Sequence, residues 1–180
     1  NEDPALKNAE ALEAIADPDF QTELGQFNIE INVSPRPFTT DDTISLEQAL
    51  RTSLNRAEKR AAATDSHLVM IGMLPTLRSE HFAHHWISAN PRYDLLNRQI
   101  FDARGEDIEL DITGVPLDEH HDAEHLHTST DSILPEAACT SLQLHLRVAP
   151  EDFAPHWNAA QAISGVQVAL AGNAPFLADT

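Results

Sequence analysis

The chain has 180 residues, a formal charge of −18 and 42% hydrophobic residues. That suffices for one domain with a sizeable core and excludes a disordered chain. The acidity argues against bulk electrostatic binding of nucleic acid or an anionic membrane, and no apolar run approaches the ~18 residues of a membrane span. The opening stretch NEDPALKNAEALEA is too acidic for a secretory signal. A lone cysteine, Cys139, excludes an internal disulfide and fits a cytoplasmic location. Such a chain repels an anionic substrate unless cations intervene, so a divalent metal fits if the ligand carries phosphate. With no initiator Met, residues 1–180 are expected to be one domain of a longer polypeptide.

In chain order, Pro4–Ala16 reads as an amphipathic helix with Leu6, Ala9, Leu12 and Ile15 at helical spacing, stopped by Asp17-Pro18-Asp19. Thr22–Val33 reads as a strand, with Phe27, Ile29, Ile31 and Val33 on one face and Asn28, Glu30 and Asn32 on the other. Gly25 marks a bulge there. One extra residue at Gly25 puts Glu23 on the same side as Glu30; regular backbone would separate the two carboxylates. Ser34-Pro35-Arg36-Pro37 breaks the strand. A capping box at Ser45–Gln48 starts a helix running to about Ala63, with Leu46, Leu50, Leu54, Ala57 and Ala61 inward.

Leu68–Leu74 reads as a short buried strand ended by Pro75. His81 and His85 are spaced as a ligand pair if helical, but no recognisable zinc motif surrounds them. Asn90-Pro91 starts a helix that Gly105 closes. Asp107–Thr113 alternates Ile108, Leu110 and Ile112 against acidic residues, as a strand with a wet or metal-facing side. Residues 114–133 hold His120, His121, His125 and His127 among carboxylates; they read as a mobile surface loop, with a weakly held transition metal in that loop as the weaker alternative. From Thr140 to Val148 the alternation is unbroken. Leu142, Leu144, Leu146 and Val148 face a core, while Gln143, His145 and Arg147 line the opposite side. Phe153–Gly172 reads as a buried helix, apolar nearly all round beyond Ala159. The order of elements indicates an α+β fold with a mixed or antiparallel sheet packed with helices.

No phosphate-binding Gly loop, dinucleotide fingerprint, serine-nucleophile elbow or zinc motif occurs. Cys139, between Ala138 and Thr140, reads as a small core residue. What remains is a carboxylate strand carrying Glu23 and Glu30, and a second strand carrying His145 and Arg147. Facing surfaces of that content suit a Mg²⁺–phosphate site: carboxylates hold the hard cation, and His and Arg neutralise phosphoryl oxygens.

Four segments carry a resemblance: GQFNIEINVSP (25–35), RYDLL (92–96), ACTSLQLHLRV (138–148) and VALAGNAPF (168–176). In that order they resemble the glutamate–cysteine ligase family, in its carboxylate–amine ligase branch, part of the glutamine-synthetase-like superfamily. The resemblance implies that Glu23 and Glu30 are Mg²⁺ ligands, and that His145 contacts metal or ATP phosphate with Gln143 and Arg147 beside it. It implies a two-step reaction. ATP phosphorylates the γ-carboxylate of glutamate, and an amine, such as that of cysteine, displaces phosphate. It also implies part of a glutamine-synthetase-like catalytic domain. The G-x-E-x-E strand with which that family begins is absent, so the fragment alone is expected to be inactive. The alternative is a non-catalytic metal- or ligand-binding homologue. Nothing in the sequence selects the acceptor amine or an oligomeric state.

Overall fold

The computed structural model describes residues 3–37, 42–172, 174 and 176–177. Helix α1 spans Asn8–Ile15 and ends at Ala16, which takes the left-handed conformation (φ 49°) and returns its N–H to Leu12 O. The start at Pro4 is not adopted. The Asn8 N–H instead bonds to Gln26 O at 3.1 Å, and the buried stripe is Asn8, Ala11 and Ile15, with Ala9 exposed.

The single strand expected over Thr22–Val33 is instead a hairpin. Strand β1 (Phe20–Thr22) pairs antiparallel with β2 (Ile29–Ile31), Phe20 opposite Ile31 and Gln21 opposite Glu30. The irregularity at Gly25 is therefore a chain reversal, larger than a bulge. The Asn28 N–H closes a turn on Gly25 O at 3.0 Å, and Gly25 itself bridges to Ile87. Helix α2 runs from Asp42 to Ala61, and Ser45 Oγ donates to Asp42 O within it rather than capping it. Ala57 and Ala61 are buried, while Leu54 packs at their edge.

Leu68–Leu74 forms no strand. Val69 and Met70 are 65% and 82% exposed, and the segment is tied by the Leu68 N–H to Glu58 and by the Thr140 N–H to Gly72 O. An apolar run becomes a strand only beside another strand, and no described residues pair with it. Two single-turn 3₁₀ helices follow, Ser79–Phe82 and His84–Trp86. Helix α3 (Pro91–Arg104) has the expected ends: Asn90 Oδ1 accepts from the Arg92 N–H at 3.0 Å, and Gly105 caps it at φ 77°.

Strand β3 (Ile108–Thr113) forms as its alternation indicates. Its partner, β4 (His125–Thr130), comes from the stretch read as a loop. Leu126 of β4 is buried against Leu134, Ala137 and Ala138 of the short helix α4 (Leu134–Ala138) and against Met73, Leu77, Phe82 and Ile87. The second core cluster joins α1, β1 and α2 through Ala11, Ile15, Phe20, Ala57 and Ala61. The architecture is α+β, with small antiparallel two-stranded sheets.

The largest departure lies in the C-terminal third. Thr140–Val148 does not enter a sheet; Leu142, Leu144 and Leu146 are 75%, 71% and 67% exposed. Helix α5 (Phe153–Ala171) forms over the expected span but buries none of its residues. Alternation and apolar content specify what a segment packs well against, yet neither supplies the neighbouring surface.

Candidate functional site

Glu23 follows the last residue of β1. Its carboxylate folds back to accept from the Leu24 N–H at 2.8 Å, and its carbonyl oxygen accepts from Ser88 Oγ. Tyr93 fixes the same corner by donating its hydroxyl to Thr22 O at 2.6 Å. Glu30 stands exposed on β2, in register with Gln21. The structure thus brings Glu23 and Glu30 to one hairpin, but engages Glu23 with the backbone beside it.

Gln143, His145 and Arg147 lie on the exposed stretch after α4. Among the described residues, no strand pairing joins that stretch to the β1–β2 hairpin. A backbone tie holds its start, from the Thr140 N–H to Gly72 O at 2.9 Å, reinforced by the Thr140 hydroxyl on Ile71 O. The two walls inferred from the sequence are therefore not assembled against each other here. A Mg²⁺ site needs several oxygen donors around one point. Among the described residues, no three His, Cys, Asp or Glu side chains converge in that way. The donors present do not by themselves fit a closed Mg²⁺ site.

Cys139 is exposed, which corrects its reading as a core residue. Its sulfur is still partly desolvated, and that desolvation, followed by the charge of Glu136, raises the thiol above its ordinary pKa. A raised thiol pKa disfavours the nucleophilic thiolate.

The groups the sequence reading undervalued sit on the β3–β4 hairpin. Pairing turns Glu109 and Asp111 of β3 to the same face as His125 and His127 of β4. His125 Nε2 lies 2.6 Å from Asp111 Oδ1, and His127 Nε2 lies 2.9 Å from Glu109 Oε1. The His125 contact is the main reason Asp111 ionises below the usual carboxylate range. In the connecting loop, His121 Nδ1 meets Asp118 Oδ1 at 2.7 Å and lowers the Asp118 pKa in the same way. An open hollow of about 540 Å³ borders this face, lined by Glu106, Asp107, Glu109 and His127. The sequence carried only a weak signal for it: HLHTST holds one apolar residue, Leu126, with Thr128 and Thr130 at the same spacing, where IELDIT alternates three apolar residues.

The family model for glutamate-cysteine ligase family 2 matches residues 5–179. The chain belongs to this family. The match contains all four segments that carried the resemblance, and with them Glu23, Glu30, Gln143, His145 and Arg147. Membership in glutamate-cysteine ligase family 2 places the chain among relatives of ATP-dependent carboxylate–amine ligases. Comparison with curated proteins and with solved structures finds no match. Among the described residues, no helix is long and apolar enough to cross a membrane.

Proposed function

We propose that this chain forms part of an ATP-dependent ligase that joins the γ-carboxylate of glutamate to an amine, such as that of cysteine, by way of an acyl-phosphate. The observation that carries the reading is the family match spanning both the carboxylate hairpin and the His/Arg stretch. Within it, Arg147 offers a fork of N–H donors suited to phosphoryl oxygens, and His145 and Gln143 add donors on the same side of an alternating stretch. Such groups act by stabilising charge on a transferring phosphoryl group. Glu23 and Glu30 are the candidate Mg²⁺ ligands, and the reading requires further donors beside them. The exposed Leu142, Leu144 and Leu146 row and the uncovered α5 support a place for the chain in a larger, glutamine-synthetase-like fold.

The test uses the full-length protein, measuring ADP released in response to glutamate and candidate amines. Wild type is expected to release ADP only with both substrates, and Glu30→Ala and His145→Ala to lose that response. Full activity in Glu30→Ala removes its metal role. Binding of Mg-ATP without any substrate-dependent ADP favours the second reading, a non-catalytic binding homologue. That reading draws support from the incomplete donor set among the described residues.

A further inference from the structure

The outer face of the β3–β4 hairpin takes no part in the ligase reading. It holds two imidazoles two residues apart, His125 and His127, separated by the buried Leu126. Their rings lie near parallel, 21° between planes and 6.3 Å between centroids. Across the ladder, Asp111 is the register partner of His127 and already meets His125 Nε2 at 2.6 Å. One carboxylate is thus directly opposite one imidazole and bonded to the other. Directly opposed Cβ atoms in such a ladder lie roughly 4.5–5.5 Å apart. That is within reach of a shared ion held by ligand bonds of about 2.0–2.2 Å.

We propose that this face takes a divalent transition-metal ion such as Zn²⁺, with His125 and His127 as nitrogen ligands and Asp111 as the oxygen ligand. Two imidazoles and a carboxylate form a borderline-soft set that selects zinc-like ions over Mg²⁺. As the side chains stand, His127 is turned to Glu109 and the three donors do not converge. The site closes when the His127 ring swings from Glu109 to Asp111, and the ion takes the place of the proton shared by His125 and Asp111. Ordering cost is low, because the backbone of both strands is already paired through six register positions. The surrounding Glu106, Asp107 and Glu109, in a chain of net charge −18, concentrate cations at this face.

The test is a calorimetric Zn²⁺ titration of the chelator-stripped chain, with Co²⁺ absorption as the spectroscopic readout. One equivalent is expected to bind to wild type, with the visible bands of a low-coordinate Co²⁺ site. His125→Gln and His127→Gln should each weaken Zn²⁺ by more than the roughly 10–100-fold cost of losing a mere supporting group. Asp111→Asn, which keeps a hydrogen-bonding side chain, should weaken it as well. His120→Gln and His121→Gln should leave it unchanged. Circular dichroism verifies that each variant is folded. The proposal is overturned if wild type binds no Zn²⁺, if the His125 and His127 variants bind as tightly as wild type, or if affinity follows His120 and His121 instead. None of these residues belongs to the ligase reading, so that reading stands or falls separately.

Discussion

The side-chain amide of Asn8 lies 2.7 Å from Ser88 Oγ, linking residues eighty positions apart in the chain. The same amide reaches the carbonyl oxygens of Gly25 and Asn28, both at 3.2 Å. Ser88 in turn donates to Glu23 O, and its N–H bonds to Leu24 O at 2.7 Å. This buried polar knot fixes the turn between β1 and β2, and so decides where Glu23 and Glu30 stand.

Removing the Asn8 amide should therefore cost more than a surface change. Asn8→Ala takes from Asn28 O the donor that Asn8 supplies, while Gly25 O keeps the Asn28 N–H, and unmaking such a buried bond costs about 1–3 kcal/mol. Urea unfolding of the chain measures it, and an unchanged midpoint would show that the knot carries no weight.

The two apolar environments should respond in opposite ways to truncation. Leu134 is completely buried, so Leu134→Ala should destabilise by about 2–5 kcal/mol. Leu144 is 71% exposed, and Leu144→Ala should stay within about 0.5 kcal/mol. A large loss at Leu144 in the same unfolding assay would mean that the Leu142–Leu146 row is covered.

Glu58 gives the chain an acid-sensitive tie between α2 and the segment after it. Burial pushes its pKa up, but the hydrogen bond from the Leu68 N–H and the bond to His67 pull it down further, leaving it below the usual 4.5. A carboxylate with a depressed folded-state pKa stabilises above its unfolded value, and that stability is lost as pH falls through the folded value. Stability of the wild type should thus decline as pH drops below about 4.5, and Glu58→Gln should flatten that part of the profile. Equal slopes in the two proteins would remove Glu58 as a contributor.

Gly105 caps α3 at φ 77°, and an added Cβ there meets nothing within 4 Å. Any cost of Gly105→Ala is then a backbone cost, about 1–2 kcal/mol for the left-handed conformation. A calorimetric melt should show a lowered Tm; an unchanged one would mean that the cap relaxes freely.

Local signals were legible wherever the chemistry that sets an element is itself local. Asn90, Pro91 and Gly105 bounded α3 correctly because a cap residue acts on the turn beside it. The alternation of Ile108, Leu110 and Ile112 gave β3 for a similar reason. His125–Thr130 has only Leu126 to mark a buried face, and histidine and threonine among acidic residues look like a loop until a complementary strand is opposite. Pairing with Glu109 and Asp111 turns those histidines from excess charge partners into cross-strand contacts.

What the sequence determined by itself was the family and the α+β class, while the Glu23–Glu30 pair and the Gln143, His145, Arg147 row stand as its proposals for the chemistry. Family and class are spread over many positions, so no single contact controls them. The tertiary structure alone decided that Gly25 reverses the chain, that β4 exists, and that Thr140–Val148 and α5 stand exposed. Each of those outcomes depends on a partner distant in sequence: Ile87 for Gly25, β3 for β4, and a surface not found among the described residues for the last two. A period-two pattern states which face wants burial, but hydrogen bonds and buried area arise only when a second element is in place.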